Sequence, residues 1–124
     1  MNLSDREKAI YLANLIAVSR VDGSVAPCET RVVEAAQKRL GAGEAELKKA
    51  KMMAASDGFQ PQPVGSFSVR VANLEDAVMV SLVDGVLDLA EKPMVFDFAE
   101  RVGVTSDQLQ LILSEVGASL TSPK

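Results

Sequence analysis

Residues 21–29 read Val-Asp-Gly-Ser-Val-Ala-Pro-Cys-Glu, and residues 83–91 read Val-Asp-Gly-Val-Leu-Asp-Leu-Ala-Glu. Each stretch is Val-Asp-Gly, then one residue, then an aliphatic residue, with a Glu seven places after the Asp. One constant shift in numbering, which carries Asp22 onto Asp84, relates the two stretches, and we call this pairing of positions the repeat register. A repeat of this kind fixes the architecture of a chain, because each copy folds as one supersecondary unit. The pair therefore predicts a protein built from two copies of one unit.

The repeat register continues on both sides of the motif without a gap. Apolar positions, a serine, an arginine and a glycine all stay in step. The matching pairs include Leu12 with Leu74, Ile16 with Val78, Ser19 with Ser81, Val33 with Val95, Arg39 with Arg101 and Gly41 with Gly103. We therefore expect two halves that superimpose, with Asp22 on Asp84.

Each copy predicts three helices, which makes the chain an all-α, single-domain bundle of about six to seven helices over residues 1–124. The first repeat covers residues 4–56, with helices at 4–20, 27–40 and 44–56. The second covers residues 73–117, with helices at 73–83, 89–102 and 106–116. Between them, residues 57–72 hold two prolines and two glycines and predict a break, whose part 67–71 is either a short helix or a flap.

The predicted helix ends carry capping residues. Gly41 and Gly103 stand where a left-handed C-terminal cap favours glycine, and Pro27 suits a first helical position. Residues 78–83 have a strand-like composition, but their repeat partners lie in a long helical run, so we predict helix there. The opening helices are apolar on nearly all sides and should form the buried centre. N-cap spacing joins Ser4 to Glu7, Asn73 to Asp76, Asp88 to Glu91 and Thr105 to Gln108.

Composition excludes several functions. The net charge of −4 and a pI near 4.8 argue against nucleic-acid binding, which needs a basic face. The sequence has no histidine, so it excludes histidine-dependent catalysis and zinc sites of ordinary composition, and we expect no enzyme. The only cysteine is Cys28, which fits a reducing cytosol. The start lacks a secretory pattern and no apolar stretch reaches membrane-spanning length, so we expect a soluble, cytoplasmic protein that does not insert into a membrane.

The duplicated motif resembles the TerB-like tellurite-resistance family, and it is similar to the N-terminal domain of membrane-anchored J-domain co-chaperones. The resemblance extends from about Leu12 to Leu113. It implies an all-helical fold, a bacterial setting in the cytosol or at the membrane periphery, and a link to metal or chemical stress. Our leading hypothesis is therefore a module that works through contact with a protein partner. The resemblance also implies divalent-metal binding through acidic residues, which on this chain would be Asp22, Glu29, Asp84 and Glu91. The chain departs from the family pattern at one position. The residue three places before the Glu is often acidic or a capping residue in such motifs; Asp88 fits that pattern, but its counterpart Ala26 does not.

Two interpretations of the acidic turns stay open. In the first, Asp-Gly forms a tight turn and the glutamates cap helix starts, which needs no ligand and makes the chain a structural or scaffold domain. In the second, the repeat brings the turns together, and oxygen ligands from Asp22, Asp84 and Asp88 bind Ca²⁺ or Mg²⁺. Four methionines likewise fit either core filling or an adaptable binding surface: Met52, Met53, Met79 and Met94.

Overall fold

Six helices form the part of the chain that this computed structural model describes, residues 3–19, 27–82 and 92–121. Within those residues there is no strand, and the segment from residue 78 to Leu82 is helical. The prediction of an all-α fold is confirmed. In chain order the helices are α1 (Asp5–Ser19), α2 (Pro27–Leu40), α3 (Glu44–Ala54), α4 (Phe67–Leu82), α5 (Lys92–Val102) and α6 (Ser106–Thr121).

Helices α1 and α4 occupy the centre of the bundle. Every residue of α1 from Ala9 to Ser19 is buried except Ile10, which packs on the core with part of its surface exposed. α1 packs against α2, α3 and α4, and α4 also packs against α2, α5 and α6. α1 is apolar on nearly all sides over residues 9–18, and α4 buries the greater part of residues 73–82 while Glu75 stays exposed. The predicted buried position of the opening helices is confirmed.

Several helix ends follow the sequence prediction. The N–H of Glu7 donates to Ser4 Oγ at 3.1 Å, and the Glu7 carboxylate accepts the N–H of Ser4 at 2.9 Å. Thr105 and Gln108 form the same reciprocal pair before α6, at 2.9 and 3.2 Å. Gly41 and Gly103 follow α2 and α5 with φ of 68° and 96°. This left-handed conformation is unfavourable for residues that carry a side chain, so glycine suits both positions.

The start of α4 differs from the prediction. The helix begins at Phe67, after Ser66, whose Oγ accepts the N–H of Val69 at 3.4 Å. Asn73 and Asp76 therefore lie inside the helix, and their predicted capping role is wrong. Residues three apart also share one face of a helix, so the spacing fits a buried face as well as a cap. The segment 67–71 is the opening of α4 rather than a flap. At the other end of the chain α6 continues to Thr121, beyond the predicted end at residue 116.

Helix positions agree with the repeat register. α1 and α4 begin at matching positions of the register, as do α3 and α6, and α2 and α5 end at matching positions. Two buried serines that match in this register both donate to the preceding turn: Ser19 to the carbonyl of Ile16 at 2.9 Å, and Ser81 to the carbonyl of Ala77 at 3.0 Å. These agreements support the duplication, and the superposition of whole halves stays a prediction.

Candidate functional site

The acidic turns fall outside what the structure describes. Asp22, Asp84, Asp88 and Glu91 lie outside the described residues. Glu29 lies in α2, but its side chain is not among those described. Over residues 3–19, 27–82 and 92–121, no cluster of three or more His, Cys, Asp or Glu side chains could hold a metal ion. The predicted cation site therefore stays a prediction.

A polar cluster instead crosses the centre of the bundle, at a carboxylate that joins three helices. The hydroxyl of Tyr11 on α1 donates to Asp76 Oδ2 on α4 at 2.5 Å. The guanidinium of Arg39 on α2 donates to the same oxygen and forms an ion pair with it. Tyr11 is fully buried, whereas the side chains of Arg39 and Asp76 are 52% and 17% exposed. The cluster thus extends from the buried Tyr11 to the half-exposed Arg39 at the surface.

Burial and charge fix the protonation of this cluster. Burial raises the pKa of the Tyr11 hydroxyl well above its ordinary value, and the adjacent Asp76 carboxylate raises it further. Arg39 opposes that shift, but the opposition is the smaller effect. Burial alone would lower the pKa of Arg39, yet Asp76 and Tyr11 hold that pKa above its ordinary value. Tyr11 is therefore a fixed hydrogen-bond donor near neutral pH, and Arg39 is a fixed cation.

A second pair lies beside the first. Asn14 Nδ2 on α1 donates to Asn73 Oδ1 on α4 at 2.6 Å, and Asn73 Nδ2 donates to the carbonyl of Tyr11 at 3.2 Å. Both asparagines are fully buried. Because a buried amide without partners is costly, these bonds are what makes asparagine tolerable in an apolar helix. We call Tyr11, Asn14, Arg39, Asn73 and Asp76 the polar layer.

The polar layer also holds the segment that connects α3 to α4. Asn14 pairs with the backbone of Gln62 in both directions: Nδ2 donates to the Gln62 carbonyl at 2.7 Å, and Oδ1 accepts the Gln62 N–H at 2.9 Å. Arg101 on α5 donates to the carbonyl of Pro61 at 3.3 Å and to the side-chain oxygen of Gln60. Pro61 and Val64 are buried. The segment is therefore anchored to both halves of the molecule.

This arrangement supplies cohesion rather than acid–base chemistry. General acid–base catalysis works best when the pKa of the catalytic group lies near the operating pH. The pKa of Tyr11 is displaced away from neutrality, and its proton is held against Asp76. The asparagine amides do not titrate and are bonded to protein groups. We interpret the polar layer as the structural tie between α1 and α4.

Among the described side chains, three large apolar ones are mostly exposed. Met52 at the end of α3 is 67% exposed, Phe67 at the start of α4 is 55% exposed, and Leu111 on α6 is 63% exposed. The other methionines named above, Met53, Met79 and Met94, pack against the core with part of their surface exposed. Core filling thus accounts for those three but not for Met52.

Sequence reasoning missed the polar layer. It placed Asn73 and Asp76 at a helix start and used Arg39 only as a repeat partner of Arg101. The signal that could have found it is composition within the central helices. Asn14 interrupts the otherwise apolar run of residues 9–18, and a polar residue in a stretch of helix that is buried all round requires a partner across the core.

Comparison of the chain with protein-family models, with curated proteins and with solved structures gives no match. In the described part of the chain, no helix combines the length and the apolar character needed to cross a bilayer.

Proposed function

We propose that the chain is a non-catalytic protein-interaction module of the TerB-like, stress-response type. The observation that carries the proposal is the exposure of Phe67 and Leu111 on α4 and α6, two helices that pack against each other. Large apolar side chains that form one surface patch mark contact sites for other molecules, and we propose such a patch here because the register partners of both residues line one pocket. The stress-response part rests on the duplicated Asp-Gly motif and its resemblance to the family.

The first half shows that the fold does not need apolar residues at these positions. Asp5 and Lys49 are the partners of Phe67 and Leu111 in the repeat register. They line one shallow pocket between α1 and α3, together with Ala45 and Glu46. The matching positions of the first half therefore carry charge and face solvent. Apolar residues there in the second half favour a partner-binding role over a packing role.

The resemblance also supports a divalent cation, Ca²⁺ or Mg²⁺, at the duplicated turns. Carboxylates close together suit such hard cations. The ligands would be Asp22, Glu29, Asp84, Asp88 and Glu91, and the partner would be an unidentified protein, either membrane-associated or soluble. The alternative, a scaffold domain whose acidic turns only cap helices, needs no ligand. A metal titration separates the two.

Complementation tests the interaction proposal. A bacterial strain that lacks the gene should tolerate tellurite less well, and the wild-type gene should restore tolerance. The double variant Phe67→Asp/Leu111→Lys gives the second half the residues of the first. We expect it to accumulate normally and fail to restore tolerance. The matched control is Asp5→Asn/Lys49→Gln, which changes the same positions of the first half and should restore it. Full restoration by the first variant would contradict the proposal.

A further inference from the structure

The two side-chain bonds between α1 and α4 are reciprocal in the repeat register: each joins the register partners of the residues that the other joins. In the repeat register, Asn73 is the partner of Tyr11, and Asp76 is the partner of Asn14. The bond from Tyr11 to Asp76 therefore has a counterpart, a bond between Asn73 and Asn14. That bond is present at 2.6 Å.

Reciprocity of this kind distinguishes a two-fold axis from a simple translation. When two copies are related by a two-fold axis, residue i of one touches residue j of the other, and j of the first touches i of the second. Units stacked by translation present different faces to each other, so their contacts are not exchanged in this way. The bonds Tyr11–Asp76 and Asn14–Asn73 follow the two-fold pattern.

We infer that the α1–α4 contact is an isologous interface, of the kind that identical subunits form, and that it fits a second copy of this chain. The first half of one copy would pair with the second half of another through the contacts that one chain makes internally. Exchange of an equivalent element between copies is a route to dimers that needs no new surface. This inference is independent of the partner and of the stress role proposed above.

Two observations make the exchange feasible. First, each half has contacts of its own: α1 packs on α2 and α3, and α4 packs on α5 and α6. Second, side-chain bonds between helices join the two halves directly, through Tyr11, Asp76 and Arg39, and the same bonds can form between two chains. The segment between Ala54 and Phe67 would then run from one copy to the other instead of folding back.

The pair Arg39–Asp76 gives a charge-exchange test in the full chain. Arg39→Asp places two carboxylates together, and Asp76→Arg places two guanidinium groups together. Each variant is refolded from denaturant alone, and the two are also refolded as an equimolar mixture. In an exchanged heterodimer, Arg39 of one chain meets Asp76 of the other, and the introduced Asp and Arg meet each other. The control is the double variant Arg39→Asp/Asp76→Arg, in which the reversed pair lies within one chain.

Native mass spectrometry and sedimentation velocity identify the species, and thermal melts rank them. We expect the mixture to yield a one-to-one heterodimer that melts above either variant alone, while the double variant stays monomeric. If the single variants do not fold alone, recovery of folded heterodimer from the mixture is the same supporting result. A mixture that sediments and melts as the two separate variants would overturn the inference. So would a mixture that stays unfolded while the double variant folds.

Discussion

Asp76 on α4 accepts the hydroxyl of Tyr11 on α1 at 2.5 Å, although the two residues are 65 positions apart in the chain. The bond joins the two central helices, which belong to different predicted repeats. Arg39 approaches the same carboxylate oxygen from α2, so three helices meet at one atom. The stability of the bundle should therefore depend on the protonation of this cluster.

The Tyr11 hydroxyl predicts a loss of stability in alkali. The pKa of this hydroxyl is raised in the folded protein, whereas the pKa of tyrosine in an unfolded chain is about 10. Above that pH the unfolded chain binds fewer protons than the folded one, so the free energy of unfolding falls as pH rises. The stabilising contribution is complete below the unfolded pKa and is lost as pH rises toward the folded pKa.

The chain has one tyrosine and no tryptophan, so tyrosinate absorbance measures Tyr11 alone. We expect no tyrosinate signal at pH values where a free tyrosine ionises, and then a rise that coincides with loss of helical circular dichroism. The control Tyr11→Phe should lose stability near neutral pH by about 1.5–3 kcal/mol, since it removes a hydrogen bond to a charged group. Its tyrosine-linked decline in alkali should disappear. A normal tyrosine titration in the folded protein would contradict the buried bond.

The bonds between Asn14 and Gln62 predict that substituting the two residues has very different effects on the free energy of unfolding. Asn14→Ala removes the partners of Asn73 and of both backbone groups of Gln62, and should lower the free energy of unfolding by about 2–4 kcal/mol. Gln62→Ala is the matched control, because Gln62 bonds Asn14 through its backbone and its side chain is exposed. It should cost about 0.5 kcal/mol or less. If urea unfolding gave the same loss of free energy for both variants, the bonds made by the Asn14 side chain would not be what stabilises the fold.

The segment that connects α3 to α4 should be cut by proteases only in its first, exposed part. The sequence predicts early cutting anywhere in residues 57–65, but Pro61 and Val64 are buried and residues 60–62 are bonded to Arg101 and Asn14. Exposed residues form an unbroken run at Ala55, Ser56, Asp57 and Gly58. Among the aspartates in the described residues, limited proteolysis with an enzyme specific for Asp should therefore cut first at Asp57. With a protease of broad specificity, first cuts within residues 60–64 would mean that the segment is not anchored as described.

The acidic turns predict a result that separates capping from metal binding. If Asp22 and Asp84 are ligands, Ca²⁺ or Mg²⁺ at a hundredfold excess over Kd should stabilise the fold by about 2.7 kcal/mol. Asp22→Asn with Asp84→Asn should abolish that gain and scarcely change the metal-free melt, because Asn accepts the same backbone bonds. A melting temperature unaffected by either ion would support the scaffold alternative. Stabilisation that survives both substitutions would place the site on other residues.

Local features of this fold could be predicted from the sequence, and contacts between halves could not. The reciprocal caps at Ser4 and Thr105, and the glycine ends at Gly41 and Gly103, depend on neighbours within a few residues. The repeat register and the apolar opening helices also predicted which helices would be central.

The start of α4 was misjudged because Asn73 and Asp76 have the spacing of a cap but are bound to α1. Their partners lie 59 and 65 residues away in sequence, and local periodicity carries no information about which distant residue fills a buried hydrogen bond. The exposure of Phe67 was missed for a different reason: residues 57–72 were interpreted as a single break, so the first turn of α4 was not identified.

Site-specific photocrosslinking in cells measures most directly whether the second half carries a partner-binding face. A photoreactive amino acid is placed at Phe67 or Leu111, which are 55% and 63% exposed, and at the matching first-half positions Asp5 and Lys49 as controls. The account predicts one discrete protein adduct, of the same mass increment, at Phe67 and Leu111 and none at Asp5 and Lys49. Equal adducts at all four positions, or none at Phe67 and Leu111 in cells under tellurite stress, would contradict it.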